Sequence, residues 1–323
     1  MSTEKKWVTA SDVARLAGVS RSAVSRAFTP GASVAPETRR RVEKAARELG
    51  YQVNILARSM NKGRSNFVGL VTAGFSNAFR NQLIGPLTHQ LARQGLIPLL
   101  VNAEDSYQQA PGLRDLMSYH VAGIIMTSGA PPLSLAQEYV ARSIPVVIIN
   151  RDTDLPGTDV VYSDNVDGAR QAARWLQQRG CQRPAFIGEQ PANFSTRQRR
   201  DAFCQALTNA TCIDVNGSDY HAGFNAVAQL QTYSDIDGVF CATDTLALGL
   251  RDALSQHPSL SSLPLVGFDD IPEAGYAARQ LTTLRQDVER LAGEAVSLLI
   301  QRMEDDQRPP VKKVVPVQLI ARR

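Results

Sequence analysis

A short segment from Ser20 to Phe28 carries four side chains that can donate hydrogen bonds to phosphate oxygens or base edges. At helical spacing these four fall on one side of the segment: Arg21, Ser22, Ser25 and Arg26. The other side is apolar and would face inward: Val24, Ala27 and Phe28. The pattern predicts a helix, capped by Ser20, whose outer face can enter a nucleic-acid groove.

A preceding helix and a turn must position this segment. Thr9 and Asp12 have the spacing of a capping box, and Gly18 supplies the positive-φ residue that ends a helix. The helix between them has an apolar stripe at the i, i+3, i+4 spacing, formed by Val13, Leu16 and Ala17. Two short helices that meet at Gly18 make a helix-turn-helix, with the second helix free to enter a major groove.

A third helix is predicted over about 36–49, because Pro36 suits a first turn and Gly50 stands just past the end. Its buried stripe is Val42, Ala45, Ala46 and Leu49. Its basic residues mostly point outward: Arg39, Arg40, Arg41, Lys44 and Arg47. Such a charge run alone fits a solvated helix face as well as a phosphate-binding face. Beside a helix-turn-helix, phosphate binding is the favoured interpretation.

The charge of the chain is unevenly distributed. Residues 1–64 hold 13 Lys and Arg against 5 Asp and Glu, a net charge of +8, whereas the remaining residues carry a net charge of −4. A small basic unit attached to a mildly acidic body is typical of a nucleic-acid-binding module joined to a domain with another task.

Residues 52–65 are predicted to form a hinge helix and a linker. Asn54 can cap a short helix over 55–61, whose apolar side consists of Leu56, Ala57 and Met60. A helix this short is marginal in water, so it either packs on the body or folds only when docked on a partner. An apolar wedge next to basic residues suggests insertion into a DNA minor groove.

From residue 66 the pattern changes to short apolar runs that alternate with amphipathic segments. The rhythm begins again after residues 160–162, which predicts two doubly wound α/β lobes with parallel sheets and a cleft between them. Ligands in such folds bind outside the carboxyl ends of the strands. We therefore predict a headpiece over 1–51 and a body over 66–323. The N-lobe is expected at about 66–163 and 285–311, and the C-lobe at about 164–284 and 312–323.

The cysteines and histidines do not have metal-ligand spacing, so no metal site is predicted. The four cysteines, Cys181, Cys204, Cys212 and Cys241, are interpreted as buried free thiols in a reducing cytosol. No apolar run approaches the length of a membrane span, and the polar N-terminus gives no sign of a signal peptide. A cytoplasmic protein without membrane contact is expected.

Several strings of residues resemble the lactose/galactose-repressor family of bacterial transcription regulators. They lie at 12–20, 23–26, 34–51, 57–60, 68–70, 241–244, 267–270 and 281–284, and so extend over nearly the whole chain. The resemblance implies a homodimer whose headpieces bind a pseudo-palindromic operator in double-stranded DNA. It also implies a body similar to periplasmic sugar-binding proteins, with a small effector between its lobes. The chain lacks a leucine-heptad tail after its last strand, which favours a dimer over a tetramer.

The same resemblance implies roles for individual residues. Arg21 and Ser22 would contact base edges, and Arg26 would bind guanine bidentately. The phosphate-binding residues would be Thr9, Ser20 and Ser25. Ala57 and Met60 belong to the hinge, and Met60 stands where relatives have a leucine wedge. The effector-binding residues would be Phe79, Arg151, Arg197, Tyr220, Thr243, Asp244 and Asp269.

Three of these effector residues have other interpretations. Asp244 could instead cap the helix that follows it, Arg151 could form a surface ion pair with Asp152 or Asp154, and Arg197 could lie on a solvated helix start. Two arginines in one cleft predict an anionic effector, such as a sugar acid or sugar phosphate.

The predicted function is an effector-responsive repressor of a carbohydrate or sugar-acid operon. A co-repressor-dependent regulator of the purine type is the alternative. A solute-binding protein is disfavoured by the basic headpiece and by the polar N-terminus. An enzyme is disfavoured because the sequence has no dinucleotide-binding glycine motif, phosphate-binding loop or nucleophile elbow. No cofactor is expected besides the effector.

Overall fold

The computed structural model describes residues 8–29, 31–52, 65–103, 111–129 and 133–322. The chain divides into two compact units, Met1–Ser65 and Asn66–Arg323. The predicted hinge helix, with Ala57 and Met60, lies outside the described residues. In the part of the chain that is described, no helix has both the length and the apolar character needed to span a membrane.

The first unit contains three helices, α1 (Ala10–Ala17), α2 (Arg21–Ala27) and α3 (Pro36–Leu49). The predicted capping box begins α1, and Gly18 ends it at a φ of 63°. The Ser20 hydroxyl accepts a hydrogen bond from the Ala23 amide at 3.2 Å and so caps α2. Small and branched side chains from all three helices form the core: Val13, Ala14, Ala17, Val24, Ala27, Val42, Ala45 and Ala46.

One expectation for this unit was wrong, and Arg39 is an exception to another. Leu16 is 51% exposed, and Ala14 takes its place in the core. On a helix that turns about 100° per residue, Ala14 and Leu16 lie on opposite sides of Val13, and the neighbouring helices pack on the side of Ala14. Arg39 does not point outward, because its guanidinium donates to the carbonyls of Ala27 and Ala32 and holds the α2–α3 connection.

The body alternates strands and helices, as its sequence predicts. The elements of its first half are β1 (Phe67–Thr72), α4 (Ala78–Arg93), β2 (Ile97–Asn102), α5 (Pro111–Ser118), β3 (Gly123–Met126), α6 (Leu133–Val140), β4 (Val146–Ile149) and β5 (Thr158–Ser163). Those of its second half are α7 (Asn165–Gln178), β6 (Pro184–Glu189), α8 (Phe194–Ala206), β7 (Thr211–Val215), α9 (Tyr220–Leu230), β8 (Gly238–Cys241), α10 (Asp244–Leu254), β9 (Leu265–Asp269) and β10 (Thr282–Gln286). The chain then forms α11 (Val288–Glu304), β11 (Lys312–Val315) and β12 (Val317–Ile320).

These strands form two six-stranded sheets, one in each lobe. The first has the order β11-β5-β4-β3-β1-β2, and the second has the order β12-β10-β9-β8-β6-β7. All pairings are parallel except that of β12 with β10. Helices α4 and α11 cover one face of the first sheet, and α5 and α6 cover the other. The predicted pair of doubly wound lobes is confirmed.

The strand pairing places the boundaries between the lobes at other residues than the sequence predicts. β10 continues to Gln286 in the second sheet, and β11 pairs with β5 in the first sheet, although residues 312–323 were expected in the C-lobe. The end of the chain therefore contributes one strand to each sheet, β11 to the first and β12 to the second. Pro316 separates them, since proline has no N–H to donate to a ladder, and the chain crosses between the lobes at this residue.

Candidate functional site

The outer face of α2 is the candidate nucleic-acid interface. Four side chains on it are exposed: Arg21, Ser22, Ser25 and Arg26. The opposite side is anchored, because Val24 and Ala27 are buried in the core of the unit. The Ser20 and Ser22 hydroxyls lie 2.9 Å apart. A rigid core thus presents a short row of donors to solvent, as the sequence predicts for a groove-binding helix.

The other predicted phosphate contact, Thr9, is exposed but already engaged. Its hydroxyl donates to a carboxylate oxygen of Asp12 at 2.7 Å, and Arg15 pairs with the same aspartate at 3.3 Å. A phosphodiester only accepts hydrogen bonds, so Thr9 must turn its hydroxyl away from Asp12 before it can bind one.

In the body, buried polar side chains collect at the carboxyl ends of strands from both sheets. Asn150 follows β4, and the other members are the last residues of their strands: Ser163, Glu189, Asp269 and Gln286. This is the edge where doubly wound sheets bind ligands. We call these five residues the strand-end cluster.

Gln286 joins the two lobes within this cluster. Its side-chain oxygen accepts hydrogen bonds from the Asn150 amide at 3.0 Å and from the Ser163 hydroxyl at 2.5 Å, both in the first lobe. Its side-chain nitrogen donates to the Asp269 carboxylate of the second lobe at 2.6 Å. One buried side chain therefore holds three polar groups of both lobes.

Asp269 is the member of the cluster with the most unusual backbone. Its φ is 127°, in a region that strongly favours glycine, and strain of this kind is often found at functional sites. Burial raises the pKa of Asp269 to about 7, although Arg199 and the hydrogen bond from Gln286 act in the opposite direction.

Arg199 faces Asp269 across an N–O distance of 3.8 Å and is only 3% exposed. It donates to Asn165 at 2.8 Å and to the Ala242 carbonyl at 2.6 Å, and it lies 3.5 Å above the ring of Phe268. Burial lowers its pKa, while three carboxylates raise it: Asp269, Glu189 and Asp244. The arginine is thus held rigidly in an environment with an excess of acidic groups.

Glu189 fixes the start of α8, the helix that carries Arg199. Both its carboxylate oxygens accept from the Thr196 hydroxyl, at 2.8 and 2.9 Å, and one accepts from the Asn193 amide. Asn193 in turn caps α8 by accepting from the Thr196 backbone N–H at 3.0 Å.

Among the predicted effector residues, Asp269 lies in the strand-end cluster, whereas Arg197 is exposed and donates to the Ala192 carbonyl at 2.9 Å. The arginine that contacts Asp269 is Arg199, two residues further along α8. Two residues correspond to about 200° of helix rotation, so the two guanidinium groups leave the helix on different sides.

Asp244 does not cap α10, because Thr243 does so by accepting from the Leu246 backbone N–H at 3.3 Å. Asp244 is fully buried and accepts from the Thr283 hydroxyl at 2.5 Å and from the Ile271 N–H at 2.9 Å. Burial raises its pKa to about 8. This carboxyl therefore ties the segments after β8 and β9 to β10.

The remaining predicted effector residues have other surroundings. Tyr220 donates to Asp252 at 2.5 Å, between α9 and α10. Phe79 lies in the first turn of α4 and is buried in the core of the first lobe. Arg151 is half-buried directly after Asn150, and burial lowers its pKa. The surface ion pairs with Asp152 and Asp154 are made by Lys312, at 2.7 and 2.9 Å.

Four residues of the site were not predicted from the sequence: Arg199, Gln286, Asn150 and Glu189. Asn150 and Glu189 could have been found, since each is a polar residue at the end of a predicted strand. Gln286 could not, because its two first-lobe partners are more than 120 residues away in the sequence. In the described ranges, no group of three or more acidic, histidine or cysteine residues is arranged to hold a metal ion.

The two units define a class of protein: a helix-turn-helix module whose second helix exposes basic side chains, joined to a body of two doubly wound lobes. Residues 9–54 match the model of the bacterial regulatory proteins of the lacI family. Residues 173–323 match that of a periplasmic binding protein-like domain.

Individual relatives agree with these matches over nearly the full length. The sucrose operon repressor of Lactococcus lactis subsp. lactis is 32% identical, over 95% of this chain and 97% of the relative. The Lac repressor dimer bound to operator and the anti-inducer ONPF is 25% identical and superposes with a TM-score of 0.85 over 98% of both chains. The complex of the regulator CelR with cellobiose is 27% identical, with a TM-score of 0.71 over 98% of this chain and 99% of that one.

The chain therefore belongs to the lacI family of bacterial regulatory proteins. It is a DNA-binding transcription regulator and not an enzyme.

Proposed function

We infer that this regulator represses a carbohydrate-utilisation operon in the cytoplasm, by binding a pseudo-palindromic operator as a homodimer. The observation that carries this proposal is the outer face of α2, where four donors are exposed and two apolar residues lock the helix to its core. The Lac repressor relative, a dimer bound to operator, supports the dimer and the operator.

Arg26 is the proposed guanine reader, since its guanidinium matches the two acceptors of guanine in the major groove. Arg21 and Ser22 contact neighbouring base edges. The phosphate contacts are Thr9, Ser20 and Ser25, and the apolar hinge residues Ala57 and Met60 enter the minor groove.

The operator can be found by selection from a pool of random duplexes with the full-length protein. We expect enrichment of two inverted half-sites, as a symmetric dimer requires. Enrichment of no sequence, or of a single unrepeated site, would refute the proposal.

The selected duplex then tests the reading helix by fluorescence anisotropy. Arg26→Ala should weaken binding by about 5- to 150-fold and relax the preference at one base pair of each half-site. Arg47→Ala on α3 is the matched control: it removes an exposed arginine, so it should weaken selected and random duplexes equally. Equal losses for both variants on both duplexes would show that α2 does not read bases.

For the effector, the site supports a neutral sugar better than the anion predicted from two arginines. The buried Arg199 guanidinium already faces the Asp269 carboxyl group, and Glu189 also lies near it, so this cation already has acidic partners. An anion would have to compete with these partners for Arg199, whereas sugar hydroxyls can donate to carboxyl oxygens and accept from a guanidinium. The name of the sucrose operon repressor and the cellobiose complex of CelR agree with this choice.

A thermal-shift screen distinguishes the candidate effectors, because a ligand that binds only the native state raises its apparent stability. The library should hold neutral mono- and disaccharides, sugar acids, sugar phosphates and nucleobases. We expect a hit among the neutral sugars, which is lost in Asp269→Asn and retained in the control Arg197→Ala. A hit only among acids or phosphates would overturn the neutral effector, and a nucleobase hit would favour the co-repressor alternative.

A further inference from the structure

Two cysteines of the second lobe lie side by side. Cys204 is in the last turn of α8, and Cys212 is on β7, the edge strand of the second sheet. Their Sγ atoms are 2.9 Å apart, and both are free thiols. Cys204 is half-buried and Cys212 is exposed, which corrects the expectation that all four cysteines are buried.

The geometry permits a covalent bond with little movement. A disulfide needs about 2.05 Å between its sulfurs, so the two Sγ atoms must approach by less than about 1 Å. Side-chain rotation can supply this, because α8 already packs on β7. The other two cysteines differ: Cys181 and Cys241 are buried.

The surroundings give the two thiols different roles. The pKa of Cys212 is lowered to about 7, chiefly by its hydrogen bond with Cys204 and also by Arg200, against the effects of burial and of Asp214 and Asp201. The same hydrogen bond raises the pKa of Cys204, which keeps that thiol protonated. Because Cys212 is exposed and Cys204 is half-buried, Cys212 is the thiol that a peroxide reaches first, and Cys204 is the thiol that can resolve its oxidised form.

We propose that Cys204 and Cys212 form a peroxide-sensitive thiol pair that closes to a reversible intramolecular disulfide. The Cys212 thiolate attacks a hydroperoxide, the O–O bond breaks, and an alcohol or water leaves after protonation, which gives a sulfenic acid on Cys212. The Cys204 sulfur then attacks this sulfur, the S–O bond breaks and water leaves. In total two thiols lose two electrons and two protons, and the peroxide is reduced.

This modification would act on the helix that holds the effector site. Cys204 lies five residues after Arg199 on α8, so the disulfide tethers to β7 the same helix whose other end is fixed by Glu189. Disulfides in cytosolic proteins are usually transient and serve to sense the redox state. An exposed disulfide is easily reduced, so the Cys204–Cys212 bond is suited to such reversible sensing.

The test uses the full-length protein, treated with a small excess of hydrogen peroxide, quenched and unfolded without reductant. Thiol titration should fall from the four cysteines of the sequence to two, and peptide mapping should find Cys204 linked to Cys212 within one chain. Dithiothreitol should restore four thiols. Retention of four thiols, or linkage only between two chains, would overturn the proposal.

Single variants separate the two roles and control for folding. Cys204→Ser should stop at a sulfenic acid on Cys212 that dimedone traps, whereas Cys212→Ser should lose the fast reaction. Cys181→Ser is the matched control and should form the disulfide at the wild-type rate. Operator binding by each reduced variant verifies its fold. Disulfide formation that depends on Cys181, or dimedone labelling of Cys204 in place of Cys212, would contradict the assignment.

Discussion

Replacing Gln286 by alanine should destabilise the body strongly, because one side chain satisfies three buried groups. Gln286→Ala removes the donor to Asp269 and the acceptor for Asn150 and Ser163. All four residues are at most 5% exposed.

The magnitude follows from the groups left without partners. A buried polar group that loses its hydrogen bond costs about 1–3 kcal/mol, and a charged group costs more. Water that enters the space of the lost side chain would form hydrogen bonds with the three groups and so offset part of this free-energy cost. We expect the free energy of unfolding of the body to fall by about 3–5 kcal/mol. For a domain of this size, such a loss lowers the melting temperature by roughly 6–20 °C.

Urea unfolding, followed by circular dichroism, gives this free energy directly. Gln301→Ala is the matched control, since Gln301 is an exposed glutamine on α11 that donates only to Ser297 among the described residues. It should change the free energy by at most about 0.5 kcal/mol. If Gln286→Ala lost no more than the control, the strand-end cluster would not join the lobes energetically.

Three further changes test other parts of the account. Arg302→Met leaves the buried carboxylate of Asp159 without one of its two arginines and should cost about 3–5 kcal/mol in urea unfolding; an effect under 1 kcal/mol would show that Arg308 suffices. Gly223→Ala places a Cβ 2.1 Å from the Leu246 carbonyl oxygen, so α9 and α10 must separate at a cost of about 1–3 kcal/mol. Gly293→Ala is the control: its Cβ enters open space and should stabilise α11 by about 0.5–1 kcal/mol. Equal effects of the two variants in thermal melts would refute this packing. The pKa of Asp244 is raised to about 8, so the native state keeps a proton that the unfolded chain releases above about pH 4. Its contribution to stability is therefore fully present below pH 4 and is lost as the pH rises towards 8. Between pH 5 and 8 the free energy of unfolding should fall more steeply for wild type than for Asp244→Asn, and parallel curves would contradict the raised pKa.

The sequence predicted most elements because their signals are local. The capping box of Thr9 and Asp12, the glycine after α1 and the buried apolar strands all depend on neighbouring residues. The third helix, predicted over about 36–49, spans Pro36–Leu49, and both doubly wound lobes follow from the alternation of apolar runs and amphipathic segments.

The strand-end cluster could be predicted only in part, since it depends on long-range contacts. Asp269 was identified, but the choice between Arg197 and Arg199 depends on which side of α8 meets the second sheet. Gln286 becomes significant only when β10 is placed beside β4 and β5 of the other lobe. Likewise, Leu16 has the correct spacing for the core, and only the packing of α2 and α3 shows that it is exposed.

We propose that a sugar bound at the strand-end cluster changes operator binding. Fluorescence anisotropy with the selected operator, at increasing concentrations of the sugar found in the screen, tests it most directly. For wild type we expect the operator affinity to change by at least about 5-fold, and by reciprocity the operator must change the sugar affinity by the same factor. Asp269→Asn should bind the operator as wild type does without sugar and should lose the response. An unchanged operator affinity of wild type at saturating sugar, or a full response in Asp269→Asn, would contradict the account.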